Sequence, residues 1–366
     1  MPNSEYRLRL PGPTAVPERV RQAIAQPVVS HRGPEFRETL LRAEALLQPI
    51  LGTQNHVLFF SSSGTGMMEA ALVNILAPNE RVLVSCHGQF GDRFAAIARA
   101  LGASVDTIDT LWGQAPDPAA IEARLNAADY RAFVIVHNES STGIVANLAA
   151  IGALLRQRET LLVVDSVSGL RGLEMRQDEW GIDILVSASQ KCLMCPPGLS
   201  LASVSPKAWS IVNRDDRLPR YYWDFRKALA AMDEPGTPFT TSVSLMAGLR
   251  EALEMIDQET LPAVLSRHIQ LSTALRVGCE ALGLRSFPDP RTQSPTVVCL
   301  HVPEGLSGRD IVRTMYQRHN TVIAGSRNRL EGKVIRIGTM GQLSQQHIDT
   351  DLYQLADTLQ ELKHGR

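Results

Sequence analysis

The sequence predicts an α/β fold, with a mostly parallel central sheet flanked by helices and a smaller α+β domain towards the C-terminus. Three observations carry this expectation. Short runs rich in Val, Ile and Leu recur as RVLVS (81–85), AFVIVH (132–137), TLLVVDS (160–166) and DILVSAS (183–189). Runs that are apolar on both faces suit central strands of a parallel-rich sheet. Between them lie FGDRFAAIARALGA (90–103) and NLAAIGALLRQRE (147–159), whose apolar residues recur at three and four, as in helices covering a sheet. After residue 258 the texture changes to a long helical stretch, a strand PTVVCLHV (295–302), a helix over 308–319, a strand KVIRIG (333–338) and a closing helix. The expected division is an N-terminal arm over 1–15, a large domain over 16–258 and a small domain over 259–366.

A chain of 366 residues can bury a substantial core and has room for a large and a small domain. Its 37 basic and 38 acidic side chains set up no net field, so neither nucleic acid nor an anionic membrane is expected as a partner. The N-terminal stretch MPNSEYRLRLPGPTAVP has no hydrophobic segment of the signal-peptide kind, and no apolar run has membrane-spanning length. The five cysteines are scattered and odd in number, which suits a reducing compartment. The expectation is a cytoplasmic protein acting on a small molecule.

Ligands of open α/β sheets collect beyond the carboxyl ends of the strands, so residues just past each apolar run are the first candidates. The first, Ser61-Ser62-Ser63-Gly64-Thr65-Gly66, leads into a helix expected from about Met67. Exposed amides and hydroxyls at a helix start suit a phosphate, although serine and glycine are also ordinary caps. The stretch fits neither G-x-G-x-x-G nor a phosphate loop ending in Gly-Lys-Ser/Thr, which weakens nicotinamide and nucleoside triphosphate readings. The second is Asp165, which closes a run of apolar residues and is costly to bury unless a cation meets it. The third is Lys191, which follows DILVSASQ and precedes CLMCPPG. Most lysines at strand ends simply reach water, because a buried ammonium must be paired or lose its proton. One ligand offers a phosphate, a basic ring nitrogen and an aldehyde to match all three: pyridoxal 5′-phosphate, held by lysine as a Schiff base with an acid facing the ring nitrogen.

The chain resembles the class V, fold-type I aminotransferases, in particular the alanine–glyoxylate and serine–pyruvate (serine–glyoxylate) branch. The blocks that carry the resemblance span nearly the whole chain: PGPTAVP, SHRGPEF, SSSGTGMMEAAL, HGQFGDR, HNESSTG, VVDSVSGLRG, GIDILVSASQKCLMCPPG, TPFTTSVS and VIRIGTMG. It implies that Lys191 is the cofactor-binding and catalytic lysine and that Asp165 partners the ring nitrogen. Ser63, Gly64, Thr65 and Gln190 become phosphate ligands, with Thr65 standing where some relatives have histidine. Phe90 falls where many relatives stack a tryptophan on the ring, and Ser140 touches both ring and substrate. Thr240 is implied to cross a homodimer interface to the partner's phosphate, and Thr237, where similar proteins have tyrosine, to serve the same neighbouring site. Arg336 is implied to receive the substrate α-carboxylate, as a planar guanidinium can with two charge-assisted hydrogen bonds.

The implied activity moves an amino group from alanine or serine to glyoxylate or pyruvate by a ping-pong cycle. Aspartate, ureidoglycine and 2-aminoethylphosphonate remain alternative donors. A cysteine desulfurase-like lyase fits less well: such proteins have histidine before the lysine, where this chain has Gln190, and a cysteine after the arginine, where it reads Arg336-Ile337-Gly338-Thr339-Met340-Gly341. Cys192-x-x-Cys195 lacks a second pair and is read as small packed side chains, and no spaced cluster around His31 or His137 suggests a metal.

Overall fold

The structure, a computed structural model, describes residues 6–233 and 236–364. Its centre is a seven-stranded sheet in the order Val57–Phe60, Ser200–Val204, Ile184–Ala188, Leu161–Asp165, Ala132–Val136, Arg81–Cys86 and Ser104–Asp109. Ser200–Val204 runs antiparallel to both of its neighbours, and the other six strands share one direction. Every residue of Leu161–Asp165 and Ile184–Ala188 is buried, as the two-sided apolar runs require. Ser104–Asp109 is the edge strand, and its polar sequence SVDTID is only partly buried. That polarity hid it from a search for apolar runs.

Helices Gly64–Ile75, Gln89–Ala100 and Leu148–Leu155 pack on this sheet, while Glu18–Ile24 and Pro34–Leu51 pack against Val243–Glu259. The first of these begins three residues before the expected start at Met67. Ser63 caps it, its hydroxyl accepting from the Gly66 amide at 3.2 Å. A Cβ at Gly64 would meet a Val167 methyl at 2.8 Å, so glycine lets the helix start press against the Asp165 strand end.

A second apolar core, including Leu271, Leu300, Ile311, Ile335 and Leu355, is separate from the large one. It lies between helices Leu261–Ala281, Gly308–His319 and Gln345–His364 and a three-stranded antiparallel sheet, Val297–His301, Val334–Gly338 and Ala324–Gly325. Among the described residues no helix is long and apolar enough to cross a membrane.

The N-terminal segment ties these parts together. Arg7–Leu8 pairs in parallel with Thr321–Val322, and Asp351 takes Arg7 at 2.7 Å and Arg9 at 2.8 Å. The Arg9 carbonyl accepts from the Gly338 amide at 2.7 Å, and five residues later the Thr14 amide donates to the Gln190 carbonyl at 3.0 Å. A short strap thus runs from the strand of Arg336 to the loop of Lys191.

Candidate active site

Because six strands are parallel, their carboxyl ends share one edge of the sheet, and a cavity of about 230 Å³ opens there. Ser63, Gly64, Thr65, Phe90, Ser140, Asp165, Gln190 and Lys191 all line it. They come from five separate loops or strand ends, so chain topology alone brings them together.

Lys191 sits in a turn that Ser189 builds: its hydroxyl donates to the Pro196 carbonyl at 2.6 Å, and its carbonyl accepts from the Cys195 amide at 3.0 Å. The side chain is 9% exposed and its Nζ donates to the Pro11 carbonyl. Gly12, at φ 96°, leaves the space that the lysine stem occupies. Burial pushes the ammonium down to about 8, with the Arg336 charge adding to the effect and Asp165 opposing it. This resolves how the chain can end a buried strand on a cation: the amine is poised to shed its proton.

Asp165 is 3% exposed, accepts from the Val167 amide at 2.7 Å and is pushed up to about 6 by desolvation. No cation of the described chain pairs with it closely, so it stands as a buried acid in want of a positive partner. Ser63 and Thr65 keep their hydroxyl protons free, since both oxygens act as acceptors, from Gly66 and from Arg93 at 2.9 Å. The Gln190 side-chain oxygen is buried without a partner.

Arg336, half-buried on Val334–Gly338, is set beside the cavity rather than in its wall. It donates to the Ser140 carbonyl at 3.1 Å and to the Gly325 carbonyl at 2.7 and 3.3 Å. Those bonds leave two of its five N–H groups free. Thr237 and Thr240 lie elsewhere, in a shallow groove with Ser61, Tyr222 and Phe239, and within one chain neither reaches the lysine.

Two residues of consequence are absent from the sequence expectations. Glu139 is fully buried, and its carboxylate accepts from the Phe90 amide (2.9 Å), the Gly91 amide (3.2 Å), and the Ser141 amide (3.1 Å) and hydroxyl (2.6 Å). It thereby caps the helix that carries Phe90. Arg93, one turn along that helix, places its guanidinium 4.6 Å from the Phe90 ring centroid. The spacing of Phe90 and Arg93 in GQFGDR was the available signal for the second. Nothing in HNESSTG marks Glu139 as a cap without the fold.

Cys192 and Cys195 are buried free thiols, pushed up to about 11 and about 12 by desolvation, and so are held as unreactive small side chains. His137, also buried, bonds the Ser166 hydroxyl at 3.0 Å. No group of His, Cys, Asp or Glu among the described residues is arranged to hold a metal ion.

A buried lysine whose ammonium is lowered to about 8, sharing one cavity with a buried acid and a helix start at the carboxyl edge of a parallel sheet, suits an enzyme of amine chemistry. The chain belongs to the class-V aminotransferase family, whose model matches residues 11–349. It is 36% identical to the serine–glyoxylate aminotransferase of Hyphomicrobium methylovorum, over 94% of this chain and 87% of that protein. It is also 36% identical to a Synechococcus protein named soluble hydrogenase, small subunit, over 97% of this chain and 93% of that one. The crystal structure of an alanine–glyoxylate aminotransferase from Nostoc superimposes with a TM-score of 0.94 at 31% identity, covering 98% and 96% of the two chains. The resemblance and fold class expected from the sequence are thus borne out, and the protein is an aminotransferase.

Proposed function

We propose that the protein holds pyridoxal 5′-phosphate on Lys191 and transfers the amino group of a small amino acid, alanine or serine, to glyoxylate or pyruvate in a ping-pong cycle. One observation carries the reading: Lys191, Asp165 and the capped helix start at Ser63 meet in a single cavity. The residues present fit the cofactor. The amides of Gly64 and Thr65 and the free hydroxyl protons of Ser63 and Thr65 form an anion cradle, and the Gln190 side-chain NH2 would be its further donor. Asp165 supplies the charge that holds a proton on the ring nitrogen, and Phe90 supplies an aromatic face. When bound, the group provides an electron sink for the charge left at the substrate α-carbon.

Lys191 Nζ then takes and returns the α-proton, a task for which a buried amine near neutrality is suited. The two free N–H groups of Arg336 receive the substrate carboxylate, and their fixed fork orients the α-carbon for proton transfer. Ser140, whose carbonyl holds Arg336, lines the cavity where it would touch both substrate and ring. We infer a homodimer in which Thr240 and Thr237 serve the neighbouring site, supported by the exposure of Thr240, Tyr221 and Tyr222 around the buried Thr237, in a groove that does not include their own lysine. Two separate apolar cores support the division into an arm over 1–15, a large domain over 16–258 and a small domain over 259–366. Five buried free thiols accord with a cytoplasmic setting.

Borohydride reduction of the holoenzyme followed by peptide mapping is expected to place the reduced cofactor on the Lys191 peptide. Lys191→Ala is expected to abolish turnover and the visible absorbance with an unchanged melting temperature. An unlabelled Lys191 peptide, or full activity in the variant, removes the assignment. A half-reaction screen of amino donors, read from the cofactor spectrum, checks the preference for alanine or serine over aspartate.

A further inference from the structure

We propose that Arg93 is the charged ligand of the cofactor phosphate, an assignment that rests on the cofactor reading above. Two cationic side chains line the cavity, Lys191 and Arg93. The lysine nitrogen is committed to the covalent link, so Arg93 is the cavity-lining cation left to neutralise a doubly charged phosphate.

Its placement agrees. Nη1 donates to the Thr65 hydroxyl at 2.9 Å, which puts the guanidinium at the helix start where the free amides of Gly64 and Thr65 are. No carboxylate among the described residues pairs with Arg93. Its neighbour Asp92 faces away, towards Arg329 at 3.9 Å, and the buried Glu139 is already occupied by four donors. A half-buried guanidinium with no carboxylate in ion-pair contact, Asp165 acting on it only at longer range, and with most of its N–H groups unused, is incomplete without an anion.

The helix itself fixes the geometry. Phe90 and Arg93 are one turn apart, so a single face presents the ring and the cation together, the guanidinium carbon lying 4.6 Å from the ring centroid. Glu139 clamps the first turn of this helix to the strand that leads to Ser140. Stacking surface and phosphate charge are thereby set by one rigid element.

The test compares pyridoxal 5′-phosphate with pyridoxal, which lacks the phosphate, by absorbance titration of the cofactor-free protein and its variants. Arg93→Gln keeps the size and a donor to Thr65 but removes the charge. Its dissociation constant for pyridoxal 5′-phosphate is expected to rise roughly ten- to a hundredfold, with that for pyridoxal unchanged. Arg93→Lys, which restores charge without the fork, is expected to fall between. Equal losses for both ligands, or no loss for either, overturn the proposal. So does an unchanged cofactor affinity with a raised KM for aspartate alone, which assigns Arg93 to a substrate carboxylate. Failure of the unaltered protein to bind either ligand is a different result, and defeats the cofactor reading itself.

Discussion

Individual side chains in the cavity work because burial has moved their ordinary behaviour. Lys191 is pushed down to about 8 and Asp165 up to about 6, each chiefly by desolvation, so base and acid lie within reach of neutral pH. Arg336 depends instead on geometry: three bonds to the Gly325 and Ser140 carbonyls lock the guanidinium and leave a pair of donors. Arg336→Ala is expected to lower kcat/KM for α-carboxylate donors roughly ten- to a hundredfold. Reaction with an amine lacking that carboxylate is expected to stay unchanged, as single-turnover kinetics would reveal. Arg336→Lys should recover little, since an ammonium cannot reproduce the fork.

At the scale of elements, the helix Gln89–Ala100 shows how a scaffold residue acts on a site. Its N-cap position is Gly88, which offers no side chain, and the buried Glu139 carboxylate takes over the capping of the Phe90 and Gly91 amides. Glu139→Ala leaves four donors without their acceptor and is expected to cost about 2–3 kcal/mol, measured by urea unfolding. The same variant should weaken cofactor binding by freeing Phe90 and Arg93, whereas Glu139→Gln, which keeps one acceptor oxygen, should lie between. Strand legibility followed burial. Leu161–Asp165 and Ile184–Ala188 were readable because both faces are covered, whereas Ser104–Asp109 is an edge strand whose polar faces carry no such mark. The antiparallel Ser200–Val204, inserted between two parallel strands, has small residues and no distinguishing period.

Over the whole molecule, buried titratable groups set the response to acid in the ligand-free protein. Burial holds His137 and His268 down at about 3 and His87 at about 4, so each resists a proton that the unfolded chain accepts below about 6.5, and stability is lost as pH falls through that window. Asp165, Glu139 and Asp351 are raised by desolvation. They bind protons in the folded state first, and so add stability as pH falls towards the unfolded values. The two sets oppose one another between about pH 4.5 and 6. Below about pH 4 the raised acids no longer contribute, while the histidines and the arginine-paired Glu80, held down at about 2, all favour unfolding. Melting temperatures measured against pH are therefore expected to decline as pH falls below about 6.5, with the raised acids offsetting part of the loss, and to fall more steeply below about 4. A melting temperature that stays constant from about pH 7 down to about 4 would contradict this balance.

The amino-acid order by itself determined the sheet class, the positions of the lysine, the acid and the serine-capped helix start, and the arginine on the last strand. The lysine, the acid and the helix start are local signatures, each following an apolar run, whereas Arg336, in mid-strand, was reached only through the family resemblance. Only the tertiary structure decided that these ends share one edge, that Pro11 and Gly12 return to cover Lys191, and that Glu139 anchors the helix whose Phe90 and Arg93 form part of the wall. Contacts between residues 28 to 180 positions apart leave no period or spacing to read, because they depend on which strands the sheet places side by side.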